Sequence, residues 1–370
     1  MPPVTIDGSL GITTPMYNGS ITANAVTPSV NMKNRIINGA MVIDQRNAGS
    51  AVTTDGAYPV DRFIVFEDTD GAYSAQRDTN APAGFINSLK WTTTTADTSI
   101  ASQYAGISQS IEGFNVADLN WGTANAKTVT LSFWVRSSLT GTFGGSFRNS
   151  ANNRSYPFTY TISVADTWEF ETITIAGDTS GTWLTDNGAG LKIFFGLGVG
   201  SSFSGTAGAW SGSNFLSATG AVSVIGTLNA TWYVTGVQLE VGSTATSFDV
   251  RSYGTELQLA QRYYYRFTAS ANTYIGTGIT YTVSNALLIF PFPVPMRASP
   301  SALEQTGTAS NYRVLSQGGS LYTGTAVPTF DGANITAGTV GMTSLNNFVQ
   351  GQSCLGNLTN ASYLGWSAEL

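Results

Sequence analysis

The chain contains no histidine and one cysteine in 370 residues. Without histidine it cannot build a serine–histidine triad, a histidine metal site or the zinc motifs that need one. It also lacks the side chain whose charge changes near neutral pH. Cys354 alone can form neither an intrachain disulfide nor a thiolate cluster. It reads as a small buried hydrophobe, with a functional thiol as the alternative. Packing or oligomerisation must therefore hold the fold. Charge is scarce too: 16 Lys+Arg and 22 Asp+Glu make up 10% of the chain, against roughly 25% in ordinary soluble proteins. The net charge is −6, and no four basic residues gather in a short window. Nucleic acid needs a positive field to neutralise its phosphates, so it is excluded as a partner. No Gly-Lys-Ser/Thr phosphate loop occurs. Apolar runs such as 286–290 are too short to span a bilayer, so no membrane insertion is expected. The first seven residues, Met1-Pro2-Pro3-Val4-Thr5-Ile6-Asp7, have neither the basic region nor the apolar core of a signal peptide.

What the chain does have is apolar and aromatic bulk, 42% and 12% respectively. A surface so poor in charge must be covered by Thr, Ser, Asn, Gln and Gly. The length suggests two domains. Residues 1–33 are polar and turn-rich, punctuated by Asp7-Gly8, Asn18-Gly19 and Pro28; they read as an extended attachment arm or as a disordered leader. Residues 34–251 carry the alternation of β-strands. Val129, Leu131, Phe133 and Val135 share one face, and Phe158, Tyr160, Ile162 and Val164 repeat the pattern. So do Leu191, Ile193 and Phe195, and then Tyr233, Thr235, Val237, Leu239 and Val241. Turn clusters between these runs predict a jelly-roll β-sandwich. A short helix is predicted over 252–262 with Thr255 as its cap. A second, smaller β domain is expected over 263–370. There Leu287–Phe290 reads as buried, and Pro291, Pro293 and Pro295 point to an edge or rim. The fold class is thus all-β.

Carboxylates are the remaining source of chemistry. Glu169 and Glu171 lie two apart on a strand and share a face near Trp168, the spacing of a carboxylate pair or of an ordinary solvated strand face. Glu67, Asp68 and Asp70 make the densest acidic loop. They are candidate calcium ligands, with a plain acidic turn as the alternative and no other cofactor implied. The aromatic residues offer more. Trp134 faces away from the Val129/Leu131/Phe133/Val135 side and shares its face with Thr130, Ser132 and Arg136, a half-polar platform of the kind that stacks on a sugar ring. Trp168, Trp183, Trp210 and Trp232 lie in or near turn-rich stretches. Trp134, Arg136, Trp168 and Trp183 are the candidate glycan-binding residues; filling a core or a subunit seam is the alternative for each tryptophan. The five Asn-x-Ser/Thr triplets, at Asn18, Asn153, Asn229, Asn334 and Asn357, are what a chain rich in Ser and Thr contains by chance.

Several ordered motifs carry a resemblance. Asn34-Arg35-Ile36-Ile37-Asn38-Gly39-Ala40-Met41, then Asp44-Gln45-Arg46, then Tyr58-Pro59-Val60-Asp61-Arg62-Phe63, resembles the start of the receptor-type domain of bacteriophage and prophage tail-fibre proteins. Val129 to Arg136 is similar to the central strand of a carbohydrate-binding-module-like jelly roll. Val237 to Gly242 with Ala245 to Phe248 is similar to its closing strand. Glu256, Gln261 to Tyr264, Val294 to Arg297 and the terminal Ser367 to Leu370 resemble the downstream β region. The resemblance covers residues 34–370. It implies a virion fibre or appendage protein made in the host cytoplasm, a homotrimer, attached to other virion proteins through residues 1–33. It further implies non-covalent binding of host surface polysaccharide and no enzymatic turnover. The leader is too short for a long shaft, which leaves a short fibre, a tail tip or a capsid-attached protein. A purely structural virion component and a polysaccharide-degrading spike stand as the alternatives.

Overall fold

The computed structural model describes residues 32–344 and 348–370, so the expected arm over residues 1–33 lies almost entirely outside the described residues. Residues 33–370 form one compact unit. Residues 33–63, expected to begin the β pattern, form turns and isolated bridges rather than a strand. Their order comes from buried amides. Asn34 Nδ2 donates to the carbonyl of Val237 at 3.0 Å, and its Oδ1 accepts from the backbone N–H groups of Ile36 at 2.9 Å and Leu239 at 3.0 Å. Asn38 donates to the carbonyls of Ile43 and Asp61 at 2.8 and 2.9 Å. Buried backbone groups must find partners, and here two asparagines supply some of them beside a few direct backbone bonds to β12, such as the Arg35 N–H to the Leu239 carbonyl at 2.9 Å.

The chain then runs through β1 (Ile64–Glu67), β2 (Ala72–Asp78), β3 (Ser88–Thr95), β4 (Tyr104–Glu112), β5 (Val129–Ser137), β6 (Gly141–Arg148), β7 (Ser155–Ile162), β8 (Glu169–Ile175), β9 (Ala189–Val199), two short pieces β10 (Ser204–Gly205) and β11 (Ser217–Ala218), and β12 (Thr231–Val241). Two five-stranded sheets result, in the orders β1-β4-β9-β6-β7 and β2-β3-β12-β5-β8, with every pair inside them antiparallel. They face each other across one core, so this part of the chain is a β-sandwich of mostly β, multi-sheet construction. Val129, Leu131, Phe133 and Val135 point into it, as do Phe158, Tyr160, Ile162, Leu191, Ile193 and Phe195. Val164 does not; β7 ends at Ile162 and Val164 is exposed.

Strand β12 departs from simple alternation. The pairing with β5 slips between Thr235 and Gln238, around Gly236 at φ 61°. One extra residue flips the parity of a strand. Trp232 and Val234 therefore face the core before the bulge and Val237 and Leu239 after it, while Tyr233 and Thr235 lie on the opposite face. Trp232 is a core residue, and its Nε1 donates to Tyr160 Oη at 3.1 Å.

The one α-helix among the described residues is α1 (Tyr253–Gln261). Its N-cap is Ser252, whose Oγ accepts from the Thr255 N–H at 3.3 Å; Thr255 lies inside the first turn. Beyond it come β13 (Tyr264–Ala269), β14 (Tyr274–Thr280), β15 (Asn285–Pro291), β16 (Glu304–Gln305), β17 (Tyr312–Ser316), β18 (Leu321–Thr323), β19 (Thr329–Ala333), β20 (Ala337–Thr343), β21 (Ser353–Leu358) and β22 (Ser362–Ser367). They form sheets β13-β22-β16 and β18-β17-β21-β14-β15-β20-β19 around a separate core that includes Leu288, Phe290, Tyr312, Val340 and Trp366. β15 is an interior strand, not an edge; it alternates, with Leu288 and Phe290 buried and Ile289 exposed, and Pro291 closes it. Cys354 is buried here, and desolvation pushes its thiol up to about 11.

A seam of buried charge joins the two cores. The Arg62 guanidinium pairs with the Glu369 carboxylate and lies 3.6 Å from the centroid of the Tyr263 ring. Arg262 makes a forked contact to Glu112 at 2.5 and 2.8 Å, and Tyr263 Oη donates to the same carboxylate at 2.7 Å. Removing one partner of such a pair strands the other charge in the interior. Glu369→Ala is expected to destabilise the protein by at least about 3 kcal/mol, whereas Arg62→Met with Glu369→Leu recovers most of that loss. Urea unfolding of the single and double variants reads the difference; equal losses would mean that the pair matters only as packing.

Candidate functional site

Antiparallel register brings the outward side chains of sheet β2-β3-β12-β5-β8 into rows. Lys90, Tyr233 and Arg136 stand opposite one another across β3, β12 and β5, and Thr235, Trp134 and Phe170 form the next row across β12, β5 and β8. Trp134 and Phe170 approach to 5.3 Å between ring centroids. Phe85 and Phe248, from the loops flanking β3 and β12, meet edge to face at 5.1 Å. Together with Ser132, Gly236, Thr246 and Ser247, these four rings line a trough of about 310 Å³. The bulge makes room for it: a Cβ on Gly236 would sit 2.7 Å from the Phe85 ring and 3.1 Å from Trp134 Cδ1.

Beside the trough, Trp168 packs edge to face on Tyr233 at 6.1 Å, and its Nε1 donates to Asn80 Oδ1 at 3.1 Å. Arg136 lies over the same tyrosine ring at 5.0 Å while its Nη2 contacts Asp166 at 3.0 Å. Lys90 is paired with Asp78 at 3.6 Å. The cations of this surface are thus balanced, which leaves aromatic faces and neutral donors and acceptors as its recognition chemistry. Trp134, Arg136 and Trp168 come together here. Trp183 does not: it packs edge to face with Trp121 at 4.8 Å and Trp210 at 5.4 Å, and its Nε1 donates to the Ser180 carbonyl at 3.1 Å. Phe85, Tyr233, Phe170 and Phe248 were not singled out from the sequence. The available signal was Gly236, an isolated glycine within a strand, which marks a bulge or a close approach.

The carboxylate candidates have structural partners. Glu169 accepts from the backbone N–H groups of Ser163 at 2.9 Å and Val164 at 2.8 Å, closing the end of β7. Glu171 shares that face; desolvation first and then the neighbouring Glu169 raise its pKa. Glu67 Oε1 accepts from the Thr69 N–H at 2.7 Å. Glu67, Asp68 and Asp70 were candidate calcium ligands, but among the described residues no three His, Cys, Asp or Glu side chains converge to hold a metal ion. The acidic loop is built as a turn folded on its own side chain. No helix among the described residues is long and apolar enough to cross a membrane.

No protein-family profile and no curated protein sequence matches the chain. Solved structures do align with it. The enzymatically active domain of tailspike protein 4 from bacteriophage CBA120 aligns at 12% identity and a TM-score of 0.32, over 57% of this chain and 22% of that one. A putative sugar binding protein of Bacteroides thetaiotaomicron aligns at 12% identity and 0.33, over 56% and 100%. The family 11 carbohydrate-binding module of Clostridium thermocellum, solved with a mixed-linked tetrasaccharide, aligns at 12% identity and 0.29, over 54% and 100%. These are distant, partial likenesses to tailspike and carbohydrate-binding-module folds, and the chain spans under a quarter of the length of that tailspike domain. At such scores they assign neither family nor function.

Gly236→Ala tests the build of the trough. Alanine at φ 61° with its Cβ against Phe85 is expected to cost about 1–3 kcal/mol. Gly208→Ala, at φ 85° with open space at the Cβ position, carries the backbone strain alone and is expected to cost less. Thermal unfolding of both separates crowding from backbone strain; equal costs would mean that the bulge is not packed as described.

Proposed function

We propose that the chain is a virion fibre or appendage protein that binds a host surface glycan non-covalently through the Phe85/Trp134/Phe170/Phe248 trough. One observation carries the binding reading: four aromatic rings surround an open trough whose remaining lining is Ser132, Gly236, Thr246 and Ser247. Rings supply flat apolar faces for the C–H side of a pyranose, and hydroxyls and backbone groups supply hydrogen bonds. The residues lining the trough include no carboxylate, so the acid pair of glycoside hydrolysis has no counterpart there. Trp168, Tyr233 and Arg136 extend the surface toward a second sugar unit. The virion setting is supported by the ordered motifs between Asn34 and Leu370, and attachment through residues 1–33 is part of the same reading.

Self-association is supported by a different surface. On the outward face of the seven-stranded sheet, Leu321, Leu315 and Leu355 stand in one row with Thr277 and Ile289, and Ile279 and Leu287 are paired in the next. Ile279 and Ile289 are each about half exposed, at 48% and 52%. Contiguous exposed apolar area of this kind marks an interaction site. A closed trimer, as the tail-fibre resemblance implies, covers it and presents three troughs whose weak affinities multiply.

The glycan reading is tested with a panel of neutral and acidic oligosaccharides on the full chain, followed by calorimetry on the best ligand. Trp134→Ala is expected to weaken binding about tenfold or more without lowering the unfolding midpoint appreciably, since a buried aromatic anchor is worth upward of about 1 kcal/mol. Unchanged affinity in Trp134→Ala and Phe170→Ala would remove the trough as the site. The assembly reading is tested by light scattering. A trimer that Ile279→Asp with Ile289→Asp converts to monomer is the expected result, and a monomeric native chain would sink it.

A further inference from the structure

The opposite sheet presents a surface of different chemistry. Ser110 on β4, Lys192 on β9 and Arg148 on β6 stand in one row across three adjacent strands, with Lys192 and Arg148 directly opposite each other. Like charges in that relation repel. Neither is balanced by an acid: no carboxylate of the described residues lies within ion-pair distance of Arg148 or Lys192. Their partners are neutral. Arg148 Nη1 donates to Asn214 Oδ1 at 2.9 Å and Asn152 Oδ1 at 3.4 Å; Lys192 Nζ donates to the Ser150 carbonyl and Asn152 Oδ1, both at 3.1 Å. Arg148 is 5% exposed, and its Nε has no hydrogen-bond partner. Desolvation lowers the pKa of Arg148 to about 10; desolvation and then Arg148 lower that of Lys192. Two neighbouring cations, one buried and one half-buried, without a counterion are costly to keep in a chain with so few charges.

The row opens into a cleft of about 400 Å³ whose lining includes Phe66, Arg297, Glu369 and the C-terminal Leu370. Phe66 is stacked on Tyr104 at 5.0 Å, a flat apolar wall. The Glu369 carboxylate is taken up by Arg62 and Arg46. Arg297 donates to the carbonyls of Ala368, Asn187 and Glu369 at 2.7 to 2.8 Å and adds a third uncompensated charge. The volume is that of a small-ligand site, and a guanidinium fork beside an ammonium matches the oxygens of a carboxylate or sulfate.

We propose that this cleft is a second binding site, distinct from the aromatic trough, for the carboxylate or sulfate ester of an acidic saccharide, held between Arg148 and Lys192 with a sugar ring against Phe66. The ligand supplies the negative charge the sheet lacks, so free protein carries the repulsion and bound protein loses it. The test uses the full chain at low ionic strength, titrated by calorimetry with trigalacturonate and separately with inorganic sulfate. Trigalacturonate is expected to bind the native protein and Trp134→Ala alike, to weaken as salt is raised, to be displaced by sulfate, and to lose tenfold or more in Lys192→Gln and in Arg148→Gln. Lys192→Gln is also expected to raise the unfolding midpoint of the free protein, because it removes one of two opposed cations; a lowered midpoint would overturn the uncompensated pair. Binding that survives both substitutions, or native protein that takes up neither anion, would overturn the site. Sulfate binding without trigalacturonate binding would overturn the saccharide assignment by naming a free anion as the occupant.

Discussion

Arg62 is nine-tenths or more buried in a chain that carries few charges, and much else is arranged around it. Its charge can stay in the interior because Glu369 pairs with it, the Tyr263 ring lies across it and the Ser110 carbonyl accepts from Nη2 at 2.6 Å. Each of these contacts comes from a different part of the chain: the last residues, the end of the helix and strand β4. Arg262, Tyr263 and Glu112 repeat the device one step along, and Arg251 with Glu256 at 3.3 Å repeats it again where the helix begins. Pairs of this kind add little net stability compared with apolar packing of the same shape. They do make wrong dockings expensive, since any other arrangement leaves a guanidinium or a carboxylate alone in the interior. The seam thereby fixes which face of the sandwich the C-terminal residues cover, and Arg297 and Glu369 become a wall of the cleft beside Lys192 and Arg148.

The second constraint is the bulge at Gly236. A regular β12 would bury Tyr233 and Thr235 together with Val237 and Leu239. The extra residue instead splits the strand, so that one half sends Trp232 and Val234 inward and the other Val237 and Leu239. Both halves pack the same core, and the outer face gains Tyr233 next to Arg136 and Trp168. The irregular segment before β1 is fastened to this same place: Asn34 bonds Val237 within the bulge and Leu239 just beyond it, and Gly39 accepts from the Val237 N–H at 3.0 Å where a Cβ would lie 2.1 Å from the Val237 carbonyl oxygen. Asn34 and Gly39 of the Asn34–Met41 motif are therefore fitted to a bulge two hundred residues away.

That long-range fit explains what could be read beforehand. Alternation in β5, β7 and β9 is local, and the residues expected on the core face of those strands are buried, apart from Val164, which lies past the end of β7 and is exposed. In β12 one glycine changes the parity, and periodicity counted through it puts Tyr233 on the core face and Trp232 on the outer one, the reverse of what the structure shows. Residues 33–63 look like β sequence because Ile36, Met41, Val60 and Phe63 are buried in the sandwich core, yet their backbone groups are satisfied by side-chain amides and local turns, a pairing that no pattern of apolar residues announces. Trp134, Arg136 and Trp168 could be placed on one face from strand parity and turn position, whereas Phe85 and Phe248 reach the trough from loops, and Trp183 is drawn into a tryptophan cluster on another part of the sandwich. The Arg148–Lys192 pair was not visible at all, since cross-strand register is set by the tertiary fold.

The trough and the cleft lie on the outward faces of opposed sheets that share one core, and stacked sheets are separated by about 10 Å before either surface is reached. A single short oligosaccharide cannot touch both. The two faces also differ in kind: on one, Arg136 and Lys90 are neutralised by Asp166 and Asp78, and on the other, Arg148 and Lys192 are left without an acid. Balanced charge beside aromatic rings and unbalanced charge beside neutral amides are what the two proposals rest on, uncharged recognition for one face and anionic recognition for the other. If both proposals hold, any gain in strength from using both sites must come from several copies engaging a surface at once, because within one copy the two faces point in opposite directions.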